Sequence, residues 1–127
     1  MILNQVTLPA LDYAASVAFY RRLGLTQIVD APPRYARFEC EGGGTLSIHL
    51  VEDAPRSPGV VVYLESETLD ETVARLTDAG VRFDRGPQDE TWLWREARLQ
   101  DPAGNELRLY AAGDNRRFPP WRLPEAG

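Results

Sequence analysis

"DPAGNELRLY", residues 101–110, decides the fold, because it joins a tight turn to a strand with two different faces. Pro102 and Gly104 mark the turn, and Leu107 and Leu109 then alternate with polar or amphipathic residues. Sixty-one residues earlier, "GGTLSIH" (43–49) repeats the pattern with Leu46 and Ile48. Alternation therefore predicts two equivalent strands, each with one face on the core and the other free for polar residues.

A second pair of segments shows that the repeat extends over most of the chain. "DYAASVAFYRRLGL" (12–25) and "TLDETVARLTDAGV" (68–81) begin 56 residues apart. Both start with a capping residue, carry an apolar helical stripe and end at a glycine, Gly24 or Gly80. Thr68 and Glu71 also have the spacing of a capping box. Each segment is predicted to be one helix.

Strand-like runs surround both helices. They lie at 2–9, 26–30, 34–41 and 45–52 in the first copy and at 59–66, 81–85, 91–100 and 105–112 in the second, with turns at 30–33, 41–44, 85–89 and 101–104. The predicted fold class is α+β, with two tandem βαβββ modules at about 1–52 and 58–111 forming a single domain, 1–111. Five additional residues of the second module are expected between its second and third strands. Residues 112–127 are interpreted as an extended tail. Its apolar residues Phe118 and Trp121 hold the tail to the surface or contact a partner subunit. The alternative is that they belong to a partly disordered terminus.

Composition narrows the function classes. The 127 residues are 43% hydrophobic and carry a net charge of −5, and all 14 basic residues are arginine. We therefore expect no nucleic-acid face and no Schiff-base lysine. Cys40 is the single cysteine, so no disulfide within the chain is expected. No signal peptide is apparent, so the protein is predicted to be cytoplasmic, and no apolar run approaches about 20 residues, so no membrane contact is expected.

The tandem spacing and two motifs resemble the vicinal oxygen chelate superfamily, which includes glyoxalase I, bleomycin-resistance proteins and extradiol dioxygenases. The resemblance covers residues 3–111, and its most specific elements are the segments 12–25 and 101–110. It implies two four-stranded mixed sheets curved into a cup, with the helices on the convex face and a ligand or metal ion on the concave face.

The resemblance also implies where a divalent metal ion would bind, namely to His, Gln or Glu on the first and last strands of each module. Those positions correspond here to Gln5, Ser47, Val61 and Arg108. Only Gln5 has a suitable donor, and Arg108 adds a positive charge that would repel a dication. We therefore expect no metal and no other cofactor. An alternative, with one divalent ion held by Gln5, His49 and Glu106, requires ligands displaced by two residues along their strands.

Alternation directs the remaining candidate residues into the cup. The predicted ligand-binding residues are Gln5, Arg37, Ser47, His49, Trp92, Trp94, Glu106, Arg108 and Tyr110. Trp92 and Trp94 are expected to share a strand face, where they contact a ligand, a dimer partner or their own neighbours. His49 is either an exposed residue, a ligand contact or a general base, and Arg108 binds a carboxylate or ring unless it pairs with Glu106 or Glu96.

Two functions follow. The first is a metal-independent, drug-sequestering protein of the bleomycin-resistance type that binds an aromatic small molecule. The second is a lyase or isomerase of the glyoxalase or dioxygenase type, either metal-dependent through Gln5, His49 and Glu106 or metal-free with His49 as base. A homodimer is expected in either case, since Trp92, Trp94 and the tail offer apolar contact surface.

Overall fold

A computed structural model describes residues 1–57 and 59–124 of the chain. The elements are β1 (Gln5–Ala10), α1 (Tyr13–Arg22), β2 (Thr26–Ala31), β3 (Tyr35–Glu39), β4 (Thr45–Leu50), β5 (Val61–Glu65), α2 (Leu69–Asp78), β6 (Arg85–Asp89), β7 (Arg95–Gln100), β8 (Glu106–Ala111) and a 3₁₀ turn (Gly113–Asn115). Their order confirms the two tandem βαβββ modules. Neither helix is long and apolar enough to cross a bilayer within the part of the chain described.

The strands form two four-stranded mixed sheets with the same topology. Sheet A has the order β1-β4-β3-β2, and sheet B has the order β5-β8-β7-β6. In each sheet the first and last strands of the module run parallel, and the other neighbours are antiparallel. The parallel pair becomes possible because each helix supplies the crossover connection between its own module's first two strands.

Local sequence signals account for most of the helix ends. The Asp12 carboxylate caps α1 by accepting a hydrogen bond from the Ala15 amide at 3.0 Å. Gly24 and Gly80 follow the two helices with φ of 102° and 94°, a conformation that glycine adopts without steric cost. The predicted capping box of α2 is wrong, because the Thr68 side chain makes no cap hydrogen bond and its hydroxyl lies 3.4 Å from that of Thr72.

Both modules contribute to one hydrophobic core between the helices and the inner sheet faces. Phe38, Leu46 and Ile48 from sheet A and Leu99 and Leu107 from sheet B are almost completely buried. Each such side chain stabilises the fold by roughly 1.5–3 kcal/mol. Alternation also predicts a buried Leu50, which is wrong, because Leu50 is the last residue of β4 and is 42% exposed.

A buried polar contact joins the two modules. The Tyr20 hydroxyl on α1 donates a hydrogen bond of 2.6 Å to the Asp101 carboxylate in the turn before β8. The Asn105 side chain in the same turn donates to the Pro9 carbonyl at the end of β1. These contacts fix the "DPAGN" turn of module 2 against module 1.

The second and third strands of module 2 differ from the prediction. Residues 81–85 are largely outside a strand, whereas 85–89, predicted to be a turn, form β6. Pro87 is tolerated there because β6 is the edge strand of sheet B and has an irregular register between Arg85 and Gln88. β7 begins only at Arg95, so Trp92 lies in the preceding turn, in which Leu93 has a positive φ of 68°.

Four of the five additional residues of module 2 lie in the predicted connection between its second and third strands. Three residues separate Ala31 from its partner Tyr35, whereas seven separate Gln88 from Glu96 at the equivalent connection. The longer connection holds the turn with Trp92 and Leu93. Module 2 therefore differs from module 1 chiefly at the end of the sheet where β6 turns into β7.

Candidate functional site

The face of sheet A opposite its helix carries a hydrogen-bonded group of three side chains. The Tyr35 hydroxyl lies 2.7 Å from the buried Ser47 hydroxyl and accepts a hydrogen bond of 2.9 Å from Arg37 Nε. The hydrogen bond with Ser47, and secondarily Arg37, lowers the pKa of Tyr35 below its usual range. Arg37 and Ser47, both predicted ligand contacts, thus meet at Tyr35, which is not among the predicted site residues.

Two other predicted residues of sheet A lie far apart. Gln5 is opposite Thr45 and bonds with its hydroxyl at 2.9 Å, whereas His49 is opposite Pro9 at the other end of β4. Four residues along a strand correspond to about 13 Å. His49 is exposed, and its ring has no hydrogen-bond partner in the described segments. The structure therefore does not bring Gln5 and His49 together.

The four positions at which the family resemblance implies a metal ion do not suit one. Ser47 is engaged with Tyr35, Val61 has no donor atom, and Arg108 Nη2 lies 3.7 Å from the Glu106 carboxylate. Over residues 1–57 and 59–124, no three His, Cys, Asp or Glu side chains are grouped closely enough to hold a metal ion. Since Gln5 and His49 are separated and Glu106 faces Arg108, the alternative set does not fit a divalent ion either.

The helix-free face of sheet B carries a cluster of three aromatic rings, which we call the aromatic cluster. The Trp94 and Tyr110 rings are stacked at 4.7 Å with an interplanar angle of 22°. The Tyr63 ring meets both edge-on, at 5.6 Å from Trp94 and 5.5 Å from Tyr110. Burial, together with the nearby Glu65 charge, raises the pKa of Tyr110, so its hydroxyl stays protonated at neutral pH.

The aromatic cluster differs from the predicted pair of tryptophans. Trp92 is 38% exposed in the turn and is not part of the cluster, because β7 begins three residues after it. Tyr63, which was not predicted, takes part instead and is 44% exposed. Its position was available from the sequence, since alternation in β5 places Tyr63 on the side of Val61 and Glu65, away from Val62 and Leu64.

Charged residues surround the aromatic cluster on the same face. Arg85 makes a short ion pair with Glu90, and Arg98 Nη2 lies 3.8 Å from carboxylate oxygens of both Glu90 and Glu96. Glu96 is completely buried, and neither of its carboxylate oxygens has a hydrogen-bond partner in the structure as described. Arg85 is not among the predicted site residues because residues 85–89 have the local signals of a turn, and Glu90 lies between that turn and the strand predicted at 91–100.

The tail begins beside the aromatic cluster. Trp94 Nε1 donates a hydrogen bond of 3.2 Å to the Asn115 carbonyl in the 3₁₀ turn, which fixes the orientation of the indole ring. Further along, Phe118 lies under the guanidinium groups of Arg117 and Arg122 at 5.2 and 4.6 Å. Phe118 and Trp121 are both more than half exposed, so they leave apolar surface available.

Comparison with known proteins places this geometry in context. The sequence model that describes the family named Glyoxalase/Bleomycin resistance protein/Dioxygenase superfamily matches residues 2–109 of the chain. A crystal structure of a glyoxalase/bleomycin resistance protein/dioxygenase from Nocardioides is 25% identical, with a TM-score of 0.79, over 98% of this chain and 90% of that one. No curated protein matches the chain.

Two further solved structures share the fold at lower identity. Lactoylglutathione lyase from Agrobacterium tumefaciens is 21% identical over 87% of this chain and 92% of that one, with a TM-score of 0.71. TioX from Micromonospora sp. ML1 is 22% identical over 88% of this chain and 99% of that one, also with a TM-score of 0.71. At these identities the likeness establishes the fold and leaves the activity to be argued from the site.

Proposed function

The chain belongs to the glyoxalase/bleomycin resistance protein/dioxygenase superfamily, and from that premise we propose that it is a metal-independent, drug-sequestering protein that binds a planar aromatic molecule. The observation that carries this proposal is the aromatic cluster of Tyr63, Trp94 and Tyr110 on the helix-free face of sheet B. Release of the ligand unchanged requires no catalytic group.

The geometry of the aromatic cluster suits stacking of a ligand. Trp94 is held from behind by Tyr110 and at its nitrogen by Asn115, so little side-chain freedom is lost when a ligand binds. Tyr63 is partly exposed beside it and can contact the edge of a ring. Aromatic contacts contribute roughly 0.5–1.5 kcal/mol beyond the area that they bury.

Polar residues around the aromatic cluster would then orient the ligand. Arg108 lies opposite Tyr63 on the neighbouring strand and meets Glu106 only at 3.7 Å, so its guanidinium retains donors for a ligand oxygen. Metal independence is supported by the poor donor set at Gln5, Ser47, Val61 and Arg108, and no cofactor is needed for binding.

The proposal is tested by calorimetric titration with a panel of planar aromatic compounds. The Trp94→Ala variant should weaken the compounds that bind by about tenfold, or about 1.4 kcal/mol. Trp92→Ala is the matched control, because it removes the same side chain from a turn outside the aromatic cluster. Equal losses in the two variants, or binding that survives in Trp94→Ala, would show that the cluster is not the site.

A second candidate function, metal-free acid–base catalysis, is favoured by the Arg37–Tyr35–Ser47 group. Tyr35 is better placed than His49 as a base, because two side chains stabilise its deprotonated form. In an ultraviolet titration, one tyrosine hydroxyl should ionise at a pH below the usual range of tyrosine. This titration step should be absent from the Tyr35→Phe variant. Loss of a catalysed reaction in the same variant would favour an enzyme over a binding protein, whereas an unshifted titration would remove this candidate.

We also propose that the protein acts as a homodimer in the cytoplasm. Apolar surface for a partner is provided by three side chains that are each at least 42% exposed, namely Leu50, Phe118 and Trp121. The single free Cys40 suits a reducing compartment. Light scattering at micromolar concentration should return twice the 14.2 kDa chain mass. A mass of one chain would refute the dimer while leaving the binding proposal intact.

A further inference from the structure

Glu96 is a buried carboxylate without a proper partner, at the edge of the aromatic cluster. It lies opposite Tyr110 in the β7–β8 pair and two residues from Trp94, on the same face as both rings. Its side chain has no exposed surface, and neither oxygen is hydrogen-bonded to any group in the described part of the chain. Burial of a charged group without hydrogen bonds destabilises a fold, so a group retained in this way calls for an explanation.

Neighbouring cations compensate the Glu96 charge only in part. Arg98 Nη2 lies at 3.8 Å, beyond hydrogen-bond distance, and Arg98 divides this weak contact between Glu96 and Glu90. Arg85 is committed to the Glu90 carboxylate and reaches only the backbone carbonyl of Glu96, at 3.5 Å.

Asp101 in the same module shows what a structural carboxylate looks like in this protein. It is almost equally buried, but its two oxygens accept hydrogen bonds of 2.6–3.0 Å from the Tyr20 hydroxyl, the Ala103 amide, and the Asn105 amide and side chain. Glu96 has none of these contacts. The fold therefore satisfies one buried carboxylate fully and leaves another with its acceptor sites free beside the aromatic rings.

We propose that Glu96 binds a protonated nitrogen of the ligand, so that the site selects planar aromatic cations with N–H donors over uncharged planar compounds. This inference rests on the proposed function and adds the charge class of the ligand. A ligand ring stacked on Trp94 would place a ring-attached nitrogen near Glu96, two residues along the chain. A cation at this place also interacts favourably with the indole face, and the net charge of −5 favours its approach.

Arg98 would act as the displaceable cover of this site. Its side chain is 36% exposed and makes no hydrogen bond to the described residues, and its Nε is buried without a partner. A ligand cation can therefore replace Arg98 beside Glu96, and the guanidinium can turn into solvent at little cost.

The test compares two planar three-ring probes by calorimetry: 9-aminoacridine, a cation with N–H donors at neutral pH, and uncharged acridone. Glu96→Gln should weaken 9-aminoacridine binding about tenfold or more, since a charged hydrogen bond is lost, and should change acridone binding less than about threefold. Glu39→Gln is the matched control, because it removes one negative charge from an exposed position on sheet A and should leave both affinities unchanged. Arg98→Gln should strengthen 9-aminoacridine binding several-fold.

A ligand-free measurement separates this role from a structural one. If Glu96 is retained for binding, removal of its partly compensated, unbonded charge in Glu96→Gln should leave the melting temperature unchanged or raise it. A lower melting temperature together with unchanged 9-aminoacridine affinity would overturn the inference and make Glu96 a structural partner of Arg98. If both probes bind the wild type and Glu96→Gln equally, the inference alone fails; if neither probe binds the wild type, it falls together with the proposed function.

Discussion

Replacement of Tyr20 by phenylalanine isolates the polar contact that joins the two modules. The substitution keeps the ring, which packs against Phe19 and Phe38 with centroid distances of 5.1 and 5.6 Å, and removes only the hydroxyl. Asp101 then loses the shortest of its four hydrogen bonds while remaining buried. A hydrogen bond to a charged group contributes roughly 1.5–3 kcal/mol, so the free energy of unfolding should fall by about 2 kcal/mol.

The expected change is large enough for a thermal melt. With an unfolding entropy of about 2.1 cal/mol/K per residue over 127 residues, a loss of 2 kcal/mol lowers the melting temperature by about 7 °C. Tyr63→Phe is the control, because Tyr63 is partly exposed and its hydroxyl has no hydrogen-bond partner among the described residues, so its melting temperature should change by less than about 2 °C. A Tyr20→Phe protein that melts within 2 °C of the wild type would refute the view that this contact stabilises the junction.

Three further predictions concern pH, metal ions and backbone strain. Burial and then the Asp101 charge raise the pKa of Tyr20 well above its ordinary 10.0, and burial and then Asp30 raise the pKa of Tyr13 to about 12. The tyrosines of the unfolded state therefore lose their protons at a lower pH than those of the folded state, so the free energy of unfolding from chemical denaturation should fall above pH 10. The fall with pH should be less steep in Tyr13→Phe or Tyr20→Phe, and an equally steep fall in the wild type and both variants would contradict this. Protein purified without chelator should contain far less than one transition metal ion per chain. Added Zn²⁺ or Ni²⁺ should neither raise the melting temperature nor confer lactoylglutathione-forming activity. Stoichiometric metal in elemental analysis would contradict a metal-independent site. Leu93→Gly should stabilise the protein by about 0.5–1 kcal/mol in denaturant titrations, because glycine adopts the positive φ of 68° without steric cost, and an unchanged or lower stability would contradict this.

Several features of the candidate site were accessible from the sequence because they depend only on alternation along one strand. Ser47 and Arg108 lie on the helix-free faces of β4 and β8, opposite buried leucines and isoleucines, as the pattern predicts. The unsuitability of the family's metal positions was also accessible, since a valine or an arginine cannot donate to a metal ion in any conformation.

Other features depended on which segments pair. Residues 85–89 contain glycine and proline and therefore have the local signals of a turn, but backbone hydrogen bonds to β7 make them a strand at the sheet edge. This pairing moves the turn to the segment with Trp92 and separates Trp92 from Trp94. The Trp94 ring contacts the rings of Tyr63 and Tyr110, and the three residues lie in separate segments of the chain. A pattern within any one segment therefore could not predict these contacts.

The sequence by itself determined the duplicated βαβββ order, the helix-terminating glycines Gly24 and Gly80, and the inward faces of β4 and β8, because each of these follows from residue preferences within one turn or one strand. Only the tertiary structure decided the register and the burial of individual polar groups. Gln5 and His49 lie on the same strand pair yet at opposite ends of it, and Glu96 is buried without hydrogen bonds while Asp101 receives four. Such differences arise from hydrogen bonding and packing between segments distant in the chain, which residue preferences along a single segment do not specify.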